Sequence, residues 1–148
     1  MAYRAACEGD DLRGCNNLGV LLDRKGETDV AEGFYTKCCD SGFLPSCRAL
    51  GVLFIERDSE NPAPALAVWW KGCEGGDGGS CDNIGKYHFK RDELDEARRA
   101  WDAGCKADHG LCCAMLGMVL DKLGREIDAA KALKRGCQLG DRNACNAS

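Results

Sequence analysis

Histidine is nearly missing from this sequence, with two in 148 residues. A dinuclear metal hydrolase is disfavoured on that ground, because such a centre gathers several ligating side chains in one place. Proline is almost as scarce, with three residues, and the 19 glycines are spread along the chain. No linker or low-complexity segment therefore divides it, and residues 1–148 read as one domain. Long apolar runs are absent too. The longest, Gly51 to Ile55 and Ala63 to Trp70, fall far short of the roughly 20 residues that cross a bilayer. Nor does either charge dominate, since 24 acidic and 20 basic residues are well mixed around a net charge of −4. Without a basic stripe to neutralise phosphates or hold anionic lipid, neither nucleic acid nor membrane insertion is expected.

Catalytic signatures are missing as well. There is no C-x-x-C for thiol exchange, no H-E-x-x-H, no G-x-S-x-G and no serine three residues before a lysine. Gly85-Lys86-Tyr87 lacks the upstream glycine and the hydroxyl of a phosphate-binding loop. No catalytic residue and no cofactor are assigned. The start, Met1-Ala-Tyr-Arg-Ala-Ala-Cys7, carries no basic, apolar and cleavable export signal.

Cysteine is what the chain does have. Ten of its 12 cysteines form five C-x7-C pairs: Cys7–Cys15, Cys39–Cys47, Cys73–Cys81, Cys105–Cys113 and Cys137–Cys145. The first members are 32, 34, 32 and 32 residues apart, a period that denotes stacked helix pairs. Between the cysteines of each pair lies turn chemistry, such as Ser41-Gly42 and Leu139-Gly140-Asp141. Eight residues within one helix would separate the cysteines by about 12 Å, whereas a reversal between two helices brings them within disulfide reach. Each pair is expected to be a disulfide across such a reversal. In the chain-entropy account a loop of this size restricts the unfolded state by roughly 2.5 kcal/mol. Disulfides also imply an oxidising compartment, secreted or periplasmic.

Starting helix A after the second cysteine, C-x2-[LI]-G-x2-[LFH] recurs as Cys15, Leu18, Gly19, Leu22; Cys47, Leu50, Gly51, Phe54; Cys81, Ile84, Gly85, His88; and Cys113, Leu116, Gly117, Leu120. These spacings make one helical face. Helix B repeats Ala31, Tyr35, Cys39; Ala65, Trp69, Cys73; Ala97, Trp101, Cys105; and Ala129, Leu133, Cys137. A glycine inside a helix costs about 1 kcal/mol against alanine, so four at one phase call for close helix contact, with the large helix B residue opposite. His88 reads as a partly buried core residue. Tyr3 falls in register with Tyr35, and Arg142 to Ser148 reads as a first turn of helix A. The array is thus expected to open and close mid-repeat, as a piece of a longer exported protein.

The run Gly14-Cys15-Asn16-Asn17-Leu18-Gly19-Val20-Leu21-Leu22, with the C-x7-C spacing throughout, resembles the Sel-1-like repeats of the Helicobacter cysteine-rich protein family. The resemblance covers the whole chain and implies an all-α fold. That fold is a right-handed α/α solenoid of about four helix-turn-helix repeats, related to tetratricopeptide arrays. The family also implies one disulfide per repeat, secretion, and protein binding or signalling. Its repeats are longer, with a Gly-rich loop between helices A and B that is abbreviated here at Lys25 to Thr28 and Arg91 to Glu93. No binding residue of that loop is carried over.

A solenoid of this kind binds extended partners on the concave face made by helix A. Counting from the second cysteine, positions 2, 5 and 9 point away from the core: Asn17, Val20, Arg24; Ala49, Val52, Glu56; Asn83, Lys86, Lys90; and Met115, Met118, Lys122. A solvated helix face is the plainer reading of any one of them. Val20, Val52, Met115 and Met118 strengthen the set, because apolar residues there need not be buried and methionine suits adaptable surfaces. Cys38 and Cys112 stand outside the pairs, as buried thiols or as links to a second chain in a homodimer. Cys105, His109, Cys112 and Cys113 could hold zinc only by giving up a staple, so no metal is assigned. Asn146-Ala147-Ser148 matches a glycosylation sequon by chance. The expected function is an interaction scaffold. The alternatives are a β-lactam or cell-wall hydrolase, an activity attached to relatives, and a redox or metal-binding thiol protein.

Overall fold

The computed structural model describes residues 11–148, which form helices α1 Leu12–Arg24, α2 Thr28–Asp40, α3 Leu44–Arg57, α4 Ala63–Glu74, α5 Gly78–Lys90, α6 Leu94–Lys106, α7 Gly110–Lys122, α8 Glu126–Gln138 and α9 Arg142–Ala147, with no strand among the described residues. Odd-numbered helices carry the helix A pattern and even-numbered ones the helix B pattern. The register of Tyr3 and the Cys7–Cys15 pairing lie outside the described residues. Two compact units are present, Met1–Gly72 and Cys73–Ser148, and each is described by itself.

Helix A begins three residues before the second cysteine, and not after it as its apolar pattern indicates. The reason is capping. Asp11, Asp77 and Asp141 accept bonds from the backbone N–H groups of Gly14, Ser80 and Ala144, at 3.1, 3.1 and 2.9 Å. Each bond satisfies a donor that the first turn leaves unpaired. In α3 the first turn instead holds Pro45, whose missing N–H costs nothing there.

Four staples close the described reversals: Cys39–Cys47, Cys73–Cys81, Cys105–Cys113 and Cys137–Cys145, with Cα separations of 4.7, 4.7, 4.5 and 4.4 Å. The chain turns between the paired cysteines on a left-handed residue, Gly42 at φ +93° or, in the third described reversal, Asp108 at φ +64°. Glycine adopts this conformation freely and aspartate tolerates it.

Helix pairing follows the glycine phase. In the first unit a Cβ on Gly19 would stand 2.7 Å from the Tyr35 ring, and one on Gly51 would stand 2.1 Å from Trp69 Nε1. The Trp69 indole N–H donates to the Arg48 carbonyl at 3.0 Å. Leu22, Ala31, Tyr35, Leu50 and Leu53 complete that core. In the second unit Gly85 faces Trp101 with 2.4 Å of room for a Cβ, and Gly117 faces Leu133 with 2.6 Å. Trp101 is fully buried, and burying a side chain of this size stabilises by roughly 2–3 kcal/mol.

Candidate functional site

In the first unit, Asn17, Arg24, Val52 and Glu56 are exposed, while Val20 and Ala49 are half-buried against the edge of the core. Val52, at 37% exposure, is an apolar residue left largely to solvent. Neighbouring positions carry polar contacts that the repeat pattern did not single out. Ser46 donates its hydroxyl to Asn16 Oδ1 at 2.7 Å, and Arg57 pairs with Glu32 at 2.9 Å and Asp29 at 3.4 Å.

In the second unit, Lys86, Lys90 and Lys122 are exposed, and Asn83, Met115 and Met118 are half-buried. Lys86 is not a free cation: its amine lies 2.9 Å from Asp82 Oδ2. Asp82 is itself buried, and its other oxygen accepts the Trp101 indole N–H at 3.0 Å. A carboxylate this enclosed requires both partners. No repeat signal marks Asp82, because position 1 of helix A has no shared character, being Asn16, Arg48, Asp82 and Ala114. The Lys122 amine rests over the Phe89 ring, 5.7 Å from its centre, a cation–π contact. His88 is half-buried beside Glu93, with Nδ1 at 3.4 Å from the carboxylate.

Met115 and Met118 come together in a groove of about 870 Å³ between α7 and α8, at the end of α9. Its walls are Leu111, Ala114 and Gly117 from α7, with Ala129, Ala130 and Leu133 from α8. Asp121, Glu126 and Lys134 mark its rim. The lining is mainly aliphatic and methionine, so the groove favours an apolar, shape-adaptable guest.

The two cysteines outside the pairs occupy a second seat beside the staples. Cys38 precedes the first cysteine of its pair and lies against Ser46, which precedes the second. Cys112 precedes the second cysteine of its pair, and Gly104, which precedes the first, has only 2.3 Å of room before Cys112 Sγ. Gly136 and Ala144 share the same seat, with 2.8 Å of room. One small residue and one somewhat larger one fill it each time. Both thiols are free and 0% exposed. Cys38 donates to the Leu12 carbonyl at 3.6 Å and Cys112 to the Gly78 carbonyl at 3.4 Å. Burial raises the Cys38 thiol above its ordinary value and pushes that of Cys112 up to about 12, where Asp82 adds to the effect. Such thiols are poor nucleophiles and poor metal ligands. Cys105 and Cys113 are bonded to each other, and the described residues hold no cluster of His, Cys, Asp and Glu arranged for a metal ion.

No protein-family model matches the chain. Cytochrome c oxidase assembly factor 7 of Danio rerio is 38% identical over 48 residues, which cover 28% of this chain and 21% of that protein. The chain thus spans about a fifth of the length of this curated relative. A crystal structure of a Sel1 repeat protein from Oxalobacter formigenes superposes with a TM-score of 0.72 at 18% identity, over 98% of this chain and 65% of that one. The shared feature is the fold, the all-α Sel1-type repeat array that the cysteine and glycine phases indicate.

Proposed function

We propose that this protein is an interaction scaffold, binding a protein or peptide through its helix A faces without chemical turnover. The observation that carries the reading is the apolar groove that Met115 and Met118 share with Ala129, Ala130 and Leu133. Support comes also from the fold, because stacked helix pairs present successive helix faces for recognition. The twelve positions Asn17, Val20, Arg24, Ala49, Val52, Glu56, Asn83, Lys86, Lys90, Met115, Met118 and Lys122 are the binding residues in this reading, and none of them is buried. The four described disulfides support a secreted or periplasmic setting, where such bonds persist.

A disulfide-linked homodimer through Cys38 or Cys112 would have to expose a thiol that the fold encloses, and burial favours unlinked chains. The test substitutes the twelve positions in two blocks, Asn17 to Glu56 and Asn83 to Lys122, and measures capture of crosslinked partners. Loss of capture with either block is the expected outcome. Undiminished capture with both blocks would place binding elsewhere, and a covalent adduct with labelled penicillin would turn the reading toward an enzyme.

A further inference from the structure

The scaffold reading places no binding residue on the helix B faces, yet the second unit holds a cleft there. It measures about 400 Å³ and is lined by α6, α7 and α8. Leu116 and Leu120, one turn apart on α7, and Ala132 of α8 form its buried apolar floor. Arg98 and Asp102 enter it from α6 at i and i+4, and Asp128, Lys131 and Arg135 enter from α8 at i, i+3 and i+7. Each helix B thus turns one charged stripe toward the same furrow.

Four cations, Arg98, Arg125, Lys131 and Arg135, line the cleft against two carboxylates, in a chain whose net charge is −4. Both carboxylates are already engaged. Asp102 pairs with Lys106 at 2.9 Å, and Asp128 accepts two bonds from Arg125, at 3.1 and 2.8 Å. Arg135 is paired in turn with Asp108. Lys131 is exposed and makes no ion pair among the described residues. Arg98 is the less usual member, because its side chain is only 28% exposed and the one carboxylate oxygen near it, Asp95 Oδ1, lies 3.6 Å from Nε on an exposed side chain. Among the described residues, Arg98 Nε is the one buried side-chain nitrogen or oxygen without a hydrogen-bond partner. A guanidinium has five N–H donors, and this one makes no hydrogen bond with the described residues. Donors left unmade in an enclosed setting cost free energy that an anion in the cleft recovers. Nε itself is enclosed, so an incoming anion meets the Nη groups, over which the same charge is delocalised.

We propose that this cleft binds a small amphiphilic anion, a free monocarboxylic acid with a medium-length apolar tail. The carboxylate takes the Arg98 guanidinium, whose planar fork matches its two oxygens, and Lys131 supplies the second uncompensated cation. The tail lies over Leu116, Leu120 and Ala132. That apolar floor selects this class over inorganic phosphate, which would leave it bare, and a volume of about 400 Å³ falls at the small end of ligand sites. None of the lining residues is among the twelve scaffold positions, so the inference stands apart from that reading.

The probe is octanoate, titrated into the oxidised full chain and followed by the NMR shifts of backbone amides and arginine side chains. Octanamide keeps the tail without the charge, and acetate keeps the charge without the tail. Saturable binding of octanoate is expected, with the largest shifts at Arg98, Leu116, Leu120 and Lys131, and with both controls roughly tenfold weaker or more. Arg98→Met keeps an apolar stem and should weaken octanoate roughly tenfold, the loss of one charge-assisted hydrogen bond. Lys131→Met, at an exposed cation, should weaken it about threefold. Because Arg98→Met removes a charge that the fold leaves uncompensated, its urea midpoint should not fall. Octanoate should raise the midpoint of the parent protein and leave that of Arg98→Met unchanged. Octanamide or acetate binding as well as octanoate, shifts centred on Met115 and Met118, or full octanoate affinity in Arg98→Met would overturn the proposal. Should Arg98→Met fail to fold, the shift map and the two control ligands decide on the parent protein alone.

Discussion

Two glycine-to-alanine substitutions, both inside helices, should change stability in opposite directions. Gly33 lies within α2, is exposed, and has nothing within 4 Å of where its Cβ would be. Alanine there gains helix propensity alone, about 1 kcal/mol. Gly85 lies within α5, and its Cβ would stand 2.4 Å from Trp101 Cε2 and Nε1 and 2.7 Å from Cδ2. The same propensity gain applies, but the indole must shift, and overpacking of this kind costs about 1–3 kcal/mol. Moving the indole also strains its 3.0 Å bond to the buried Asp82, and an unsatisfied buried acceptor adds about 1–3 kcal/mol. The net result for Gly85→Ala is a loss of about 1–5 kcal/mol, against a gain of about 1 kcal/mol for Gly33→Ala. Urea unfolding of the oxidised protein, followed by far-ultraviolet circular dichroism, measures both on one scale. Gly85→Ala matching the parent protein, or Gly33→Ala losing as much as Gly85→Ala, would refute the argument that close helix contact holds glycine at this phase.

Alkylation without reductant should label Cys38 and Cys112 after denaturation and neither in the native protein, as mass spectrometry will count; a labelled staple cysteine contradicts the pairing. Replacing Cys105 and Cys113 together by alanine should lower stability by about 2–3 kcal/mol, read from the urea midpoint. The Cys112 thiol is pushed up to about 12 from 9.0, so the unfolded chain releases this proton first. Its contribution is complete below pH 9 and declines as pH rises toward 12, with a slope of up to about 1.4 kcal/mol per pH unit. Cys112→Ser should flatten the stability profile above pH 9, and an unchanged slope would count against it. Gly42, at φ +93° with open space around its Cβ position, isolates a backbone term. Gly42→Ala should cost about 1–2 kcal/mol and Gly42→Asn less, by the same urea measurement.

Much of the scaffold was legible because its determinants are local or covalent. Cys39 and Cys47 lie eight residues apart, close enough that one reversal decides their pairing. Gly51 and Trp69, or Gly85 and Trp101, sit on helices joined by a short turn, so 3.6-residue periodicity alone predicts their encounter. The helix starts lie ahead of the apolar stripe because the capping bonds of Asp11, Asp77 and Asp141, which set them, fall outside it. The Asp82 link to Trp101 and Lys86 depends on one side chain at a position of mixed character, and periodicity carries no information about it. Cys38 and Cys112 looked like exceptions to the pattern. They fill a small-residue seat whose two halves come from different helices, which the pairing with Ser46 and with Gly104 makes visible.

By itself, then, the sequence determined the repeat period, the reversal at each described staple and the glycine-to-aromatic contact between helices. Each of these is set by short-range geometry that a residue spacing expresses. Only the tertiary structure decided that Met115 and Met118 share a groove with Ala129, Ala130 and Leu133, that Asp121 and Glu126 sit at its rim, and that both spare thiols are enclosed. Those facts depend on how three successive helices lean on one another. That lean is the sum of many side-chain contacts, and no single spacing in the chain records it.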